Sequence, residues 1–497
     1  MSLVLGVDVG SQSIKVVLVD EGGDVVATGS AALTMTHQHD GWAEQDPHAY
    51  RSALRDAVGA ATAGIEPTQV VAMGLGSQVD GVIASDADGE PLRPAIIWLD
   101  KRATEQCDRL VAAVGEDVLA ERTGLVADAS HSAPKMMWIR DHEPQVWRRT
   151  ATLAPVGSYL LHHLTGTHAQ DAANASSTMV YDVARGDFDE SLCTAAELDS
   201  SMFAPVRPST EVVGTVLPDV ASELGLSASC AVVVGTGDEH AASVGAGAIE
   251  AGVVVDVTGT AEPVTTVSAA PVRDPLGLVE THGHAVPGSW LIENPGFVSG
   301  GSTLWLSGLL GVPQAEVFTL ALDAPPGSDG VLFLPALSGS TAPRWNDRMR
   351  GGLLGLAMNH TQAHVARAVL EGCAFALRDI VERLDALGLG HGEVRIVGGG
   401  ARDNLWAAIK AGVLGRPVRR VLTEEATAVG AAMVAGVGTG LFADFAAASV
   451  AVRLAPAAID PDPEATKTYD DAYQRYLAAF DAVESALASR DPSARPT

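Results

Sequence analysis

An apolar strand, an aspartate, a turn of small residues and a second strand occur twice in this chain, about half its length apart. The first copy runs Leu3 to Val7, then Asp8-Val9-Gly10-Ser11-Gln12-Ser13, then Ile14 to Val19. The second runs Val253 to Val255, then Asp256-Val257-Thr258-Gly259-Thr260-Ala261, then Pro263 to Val267. Short apolar runs separated by turn residues read as antiparallel β-meander, and Val25 to Ala27 extends the first copy. The recurrence predicts two copies of one architectural unit facing each other across a cleft. Length supports this, since 497 residues exceed one ordinary core and suggest two to four domains. The 52 glycines fall singly or in short clusters, which suits an α/β protein with many tight turns.

The elements between the copies alternate. His48 to Gly64 reads as helix and Val70 to Leu75 as strand. In the second half, Val365, Val369, Cys373, Ala376, Ile380, Leu384 and Leu387 recur at helical spacing, with Thr361 placed to cap the start and Gly388 the end. A buried strand at Val394 to Val397 leads into Gly398-Gly399-Gly400 and a helix from about Arg402 to Leu414. Val418 to Leu422 reads as strand, and Glu424 to Ala435 as a small-residue helix able to pack closely. The stretch from Asp460 to Thr497 reads as a polar, partly helical tail with a frayed end, to which no chemistry is assigned.

A formal net charge of −29 disfavours nucleic acid and acidic membrane surfaces as partners. Any phosphate site must be built locally, from backbone N–H groups, a few cations and a metal ion. Cys107, Cys193, Cys230 and Cys373 show neither a zinc spacing nor a disulfide framework. No signal peptide and no apolar stretch of about 20 residues is apparent, so a cytoplasmic protein is expected.

Chemistry is expected at five places. In the turn after Asp8, Gly10, Ser11, Gln12 and Ser13 offer convergent N–H groups, Lys15 a cation, and Asp8 an oxygen ligand for Mg²⁺, directly or through water. A plain polar hairpin would look the same. Thr258, Gly259 and Thr260 offer hydroxyls and a flexible backbone to the same phosphate chain. The glycine turn at Gly398 to Gly400 sits between strand and helix, where a nucleotide turn belongs, although tight strand–helix packing explains it equally. Asp238 follows the apolar strand Ala231 to Val234 within Gly235-Thr236-Gly237-Asp238-Glu239-His240. It is a candidate general base, with a helix N-cap as the alternative. Gln78 and Asp80, beside Val79 at the end of another strand, are candidates for binding sugar hydroxyls.

Two extended segments then resemble the signatures of the FGGY family of carbohydrate kinases. Ser130-His131-Ser132-Ala133-Pro134-Lys135-Met136-Met137-Trp138-Ile139-Arg140-Asp141-His142 fits the first. Gly351-Gly352-Leu353-Leu354-Gly355-Leu356, with His364-Val365 and Ala368-Val369-Leu370-Glu371, fits the second. Supporting segments extend from about Gly6 to Gly440, and in style the chain is nearest the xylulokinases of that family.

The resemblance implies an α/β protein of two actin-like, ribonuclease-H-like domains flanking a catalytic cleft. It implies an N-terminal FGGY domain over 1–243, a C-terminal nucleotide-binding domain over 244–445, and a helical tail over 446–497. ATP and Mg²⁺ are the implied cofactors, with a small sugar or polyol as acceptor and a homodimer as a common assembly. By position, Asp238 falls on the family's base and, with Asp8, near the metal. Gly10 to Ser13 with Lys15, Thr258 to Thr260, Gly300, and Gly399, Gly400, Ala401 and Asn404 fall on the ATP segments. Gln78, Val79, Asp80, Asp238 and Glu239 fall on the acceptor site. Where xylulokinases usually carry Met-His and Asp-Asn pairs, this chain has Val79-Asp80 and Asp238-Glu239. The added carboxylates suit a pentulose such as xylulose less well than a polyol or a sugar with other hydroxyl geometry. Rival readings are an actin-like or Hsp70-like ATPase and a catalytically inactive sugar-binding protein.

Overall fold

The computed structural model describes residues 2–346 and 348–488. The first half builds a sheet from β1 (Leu3–Val9), β2 (Ser13–Asp20), β3 (Val25–Ala32), β4 (Val70–Ser77), β5 (Val212–Thr215) and β6 (Ala231–Val233), in the order β5-β6-β4-β1-β2-β3. The second half builds another from β7 (Val254–Val257), β8 (Val264–Ser268), β9 (Glu280–Gly283), β10 (Trp290–Asn294), β11 (Val394–Val397) and β12 (Val418–Arg420), in the order β9-β10-β8-β7-β11-β12. In the first, β1 pairs antiparallel with β2 and parallel with β4. In the second, β7 pairs antiparallel with β8 and parallel with β11. Asp8 and Asp256 thus occupy matching central strands, and the duplication read from the sequence is a duplication of topology.

The helices follow from the same sequence logic. Helix α1 (Pro47–Ala61) starts at Asp46, whose carboxylate accepts from the His48 N–H. Helix α2 (Ser132–His142) carries the first signature, and α3 (Asp238–Gly245) follows β6 through Thr236 and Gly237, which extend the end of β4. In the second half come α4 (Gly300–Leu310), α5 (Gln362–Ala386), α6 (Asn404–Leu414), α7 (Ala426–Gly438) and α8 (Pro463–Ala488). Thr361 and His364 close a reciprocal cap on α5, and Gly388 follows its end with φ +79°.

Helix α7, late in the chain, packs on the first sheet. A Cβ at Gly6 of β1 would lie 1.9 Å from the Ala428 carbonyl oxygen, and one at Gly74 of β4 would lie 2.4 Å from that of Ala431. Across the helix, a Cβ at Gly430 would lie 1.8 Å from the Ala241 carbonyl oxygen of α3. Only residues without bulk permit this backbone contact, which is why the segment reads Ala-Thr-Ala-Val-Gly-Ala-Ala.

Helix α8 buries Tyr469, Tyr473, Tyr476 and Phe480 in the core of the second half, and the Tyr469 hydroxyl accepts from Arg367 Nη2 at 2.8 Å. The expected tail is therefore a packed element as far as Ala488; residues 489–497 lie outside the described residues.

The edge strand β9 is covered by the first half. Val126 N–H donates to Glu280 Oε1 at 2.8 Å, Thr281 N–H to the Gly124 carbonyl at 2.9 Å, and Gly283 N–H to Ser176 Oγ at 3.2 Å. Among the described residues no single helix is long and apolar enough to cross a membrane.

Candidate active site

Strand ends from both sheets deliver side chains to a cavity of about 550 Å³. Asp8, Gly10, Ser11, Gln78, Val79, Asp80, Asp238 and Glu239 line it from the first half. Eight residues singled out in the sequence therefore share one space.

The turn after β1 closes when Gly10 N–H donates to the Ser13 carbonyl at 3.1 Å, and Gln45 Nε2 holds the Ser11 carbonyl at 2.8 Å. Ser11, Gln12 and Ser13 form its tip. Asp8 stands opposite Lys15 in the β1–β2 register, yet the Lys15 ammonium reaches Glu425 Oε2 at 2.8 Å. Burial therefore dominates at Asp8 and pushes its carboxyl up to about 7, with Lys15 pulling down and Glu425 pushing up.

Asp238 is the first residue of α3, and Gly237 occupies the capping position. The N-cap alternative is thereby corrected: the carboxylate takes the neighbouring Glu239 N–H at 3.0 Å and faces the cavity. Burial, then Glu239, then Asp8 push its carboxyl well above the usual range. Two mutually repelling carboxylates in a cavity suit a cation that brings its own ligands. Among the described residues no group of three or more His, Cys, Asp or Glu side chains is arranged to hold a metal.

Gln78 is buried, and its Nε2 donates to Gln45 Oε1 at 3.1 Å and to the Tyr50 hydroxyl at 3.2 Å. Its amide thus braces the turn after β1, leaving only Oε1 without a partner. Asp80 adopts φ +60°, and its Oδ1 lies 3.0 Å from His131 Nδ1. His131 Nε2 lies 3.6 Å from Glu280 Oε1 of the second sheet. Burial disfavours the imidazolium, but Asp80 and Glu280 outweigh it and hold the ring charged, well above the usual histidine range. Lys135 Nζ donates to the Asp80 carbonyl at 2.8 Å and fixes the loop.

The second aspartate turn behaves differently. Lys410 Nζ lies 2.6 Å from Asp256 Oδ2, 3.1 Å from Glu262 Oε1 and 2.6 Å from Thr258 Oγ1, all fully buried. Asp256 is an internal ion-pair partner, and the Thr258 hydroxyl points inward, contrary to expectation. Thr260 is exposed at the tip.

The remaining nucleotide candidates gather around this turn. Gly300 N–H donates to the Gly259 carbonyl at 3.0 Å, and Gly400 N–H to that of Thr258 at 3.1 Å. Gly398 has φ +98° and a Cβ there would meet the Thr258 carbonyl oxygen at 2.7 Å, so tight packing accounts for that glycine. A Cβ at Gly399 would meet nothing, and Asn404 is exposed at the start of α6. Ala401 instead turns its side chain into the core.

Sequence reasoning passed over Thr265, Glu280, His282 and Glu293 of the second sheet, which also line the cavity. The available signal was a polar residue within short strand-like apolar runs, Val264-Thr265-Thr266-Val267 and Leu291-Ile292-Glu293, whereas Glu280-Thr281-His282 carries no such pattern.

Models of the FGGY family of carbohydrate kinases match this chain, the N-terminal domain over residues 3–245 and the C-terminal domain over residues 254–439. Xylulose kinase of Escherichia coli K12 is 32% identical over 437 residues, covering 87% of this chain and 89% of the relative. Glycerol kinase of Aromatoleum aromaticum is 33% identical over 456 residues, covering 89% and 91%. The crystal structure of xylulose kinase from Rhodospirillum rubrum superposes with a TM-score of 0.91 at 29% identity, covering 98% of this chain and all of that one, 100%.

Proposed function

The chain belongs to the FGGY family of carbohydrate kinases, and from that premise we propose how this ATP-dependent sugar or polyol kinase carries out its reaction. The supporting observation is an asymmetry between the duplicated aspartates. Asp256 is neutralised by Lys410, whereas Asp8 opens on the cavity beside Asp238.

In this reading the acceptor lies against Asp80, Asp238 and Glu239, with Val79 and Gln78 Oε1 beside it. The triphosphate lies between the turn at Gly10 to Ser13 and the turn at Gly259 and Thr260. Gly300 stands beside the phosphates, and Gly399, Gly400 and Asn404 frame the adenosine. Lys15 is released from Glu425 to meet phosphate.

The Asp238 carboxylate accepts the acceptor's hydroxyl proton as that oxygen bonds to the γ-phosphorus; the bond from that phosphorus to the bridging oxygen breaks and ADP leaves. Asp8 and Asp238 would hold Mg²⁺, which neutralises developing phosphate charge when bound. Positioning and exclusion of water supply the remainder of the acceleration. Functionally, 1–243 acts as the acceptor domain, 244–445 as the nucleotide domain, and within the tail that begins at 446 helix α8 acts as a brace for the latter.

The relatives are named for xylulose and for glycerol. Asp80 and Glu239 incline this chain toward polyols or toward ketoses with differently placed hydroxyls, because a carboxylate accepts two hydroxyl hydrogen bonds well. A coupled ADP-release assay with ATP and Mg²⁺ against pentuloses, hexuloses, aldonates and C3 to C6 polyols tests the reading. Acceptor-stimulated ADP release is expected. ADP release that no acceptor stimulates would refute it.

A further inference from the structure

Three strands of the second sheet carry a polar row that phosphoryl transfer leaves unused. Thr265 on β8, Glu293 on β10 and Glu280 on β9 stand opposite one another in register, and all line the cavity. Like charges directly opposite on neighbouring strands destabilise a sheet. Here both glutamates are buried, at 4% and 5% exposure for Glu293 and Glu280. Glu280 is compensated: it takes the Val126 N–H, and His131 and His282 lie 3.6 and 3.7 Å from its oxygens. Despite burial, these partners hold its carboxyl down at about 2.

Glu293 has no comparable support. Burial and then Glu239, reaching across from the first half, push its carboxyl well above the usual range. Three further buried polar groups on the same cavity have no partner: Thr265 Oγ1, Gln78 Oε1 and both ring nitrogens of His240. Two sit on the first half and one on the second. A molecule with hydroxyls along its length would satisfy all of them. Of the basic side chains on this cavity, Lys101 is engaged by Asp128, His131 by Asp80 and Glu280, and His282 lies 3.7 Å from Glu280.

We infer that Thr265 and Glu293 form the second-half wall of the acceptor site. Glu293 is its specificity-determining residue, admitting an uncharged polyhydroxy chain and rejecting one that ends in a carboxylate. The inference rests on the kinase reading above. A hydroxyl reaching this wall donates to Glu293 and accepts from Thr265. A terminal carboxylate there would add one more acid to the cluster of Glu293, Glu239 and Asp80, whose crowding already raises Glu293, while Lys101, His131 and His282 are engaged elsewhere; such juxtapositions exclude wrong ligands effectively.

The test compares kcat/KM for polyols and ketoses with that for aldonates of equal chain length. The wild-type protein should favour the uncharged acceptor by more than about 100-fold, as like-charge contact costs several kcal/mol. Glu293→Gln should narrow that ratio by about tenfold or more, chiefly through the acceptor KM, by taking one acid out of that cluster. Thr265→Val should raise the KM of the uncharged acceptor by about 3- to 10-fold, the worth of one hydrogen bond. ATP binding without acceptor serves as the folding control for both variants. A wild-type protein that uses an aldonate as well as the matching polyol would overturn the inference. So would Glu293→Gln with an unchanged ratio and normal ATP binding. Failure of every acceptor to stimulate wild-type ADP release would overturn the kinase reading itself, a distinguishable result.

Discussion

Replacing Lys410 with methionine should unfold the second half at markedly lower temperature, and the geometry sets the scale. The ammonium lies 2.6 Å from Asp256 and 3.1 Å from Glu262, and both carboxylates are fully buried. Methionine keeps much of the volume but leaves two acids facing each other without a cation. Breaking such a buried pair costs about 3–5 kcal/mol. For a domain of about 150–250 residues each kcal/mol moves Tm by roughly 2–4 °C, so a fall of about 6–20 °C is expected. The loss should be smaller at pH 6 than at pH 8. Glu262 is already pushed upward by burial and Asp256, and Lys410 is what restrains it. Without Lys410 it takes up a proton more readily, and that relieves the repulsion at the lower pH. Differential scanning calorimetry of the variant at both values, beside Lys410→Met/Asp256→Asn/Glu262→Gln, is the assay. The triple variant should recover more than half the loss, because removing all the charges together is far less damaging than stranding two. A single-variant Tm within about 2 °C of wild type, or a triple variant no better than the single, would refute this reasoning.

Other outcomes follow from particular contacts. Asp238→Asn should lower turnover by about 10²–10⁴-fold with little change in ATP binding; near-normal turnover removes Asp238 as the base. Because burial lifts the Asp8 carboxyl to about 7, Mg²⁺-dependent ATP affinity should rise as pH climbs through that value and the ionised form takes over. A flat titration between pH 6 and 8.5, matching Asp8→Asn, contradicts this. The same raised pKa means that the nucleotide-free fold holds this proton more tightly than the unfolded chain. Asp8's contribution to stability is therefore lost between about pH 4 and 7, as urea midpoints should show. Gly430→Val should destabilise by about 3 kcal/mol or more, since its Cβ would lie 1.8 Å from a backbone oxygen of α3; an unchanged Tm would mean that the helix crossing yields freely. Asp80→His with Glu239→Asn should move preference toward D-xylulose, and unchanged selectivity would sink the assignment of those positions.

The parts of this molecule written in local pattern were legible from sequence. Helix α5 could be read from its apolar spacing, its Thr361 cap and Gly388, and the duplicated meanders from their strand–Asp–turn rhythm. Asp8, Asp80, Asp238 and Glu239 all line one cavity because each lies at or just past a strand end or in the first turn of the helix after it, and strand ends converge. What stayed hidden depends on contacts distant in sequence. Asp256 looks like Asp8 until Lys410, on α6, is brought against it. The Thr258 hydroxyl was expected to face phosphate, yet the same lysine draws it inward. His131 was visible within a signature, but its place between Asp80 and Glu280 needs both sheets in position.

Helix α7 sits on β1 and β4, elements synthesised several hundred residues before it. On a ribosome, the central strands of the first sheet therefore emerge without the helix that seals one of their faces. Val4, Val17 and Ala72, buried against Val429 and Ala432 in the finished protein, then stay uncovered until residue 438 has left the exit tunnel. Such non-local pairing slows folding and lengthens exposure to aggregation. A chain cut after residue 245 should thus be insoluble alone and be rescued by co-expression of a fragment that begins near Val253. That would make the two halves obligate folding partners, although each carries its own sheet.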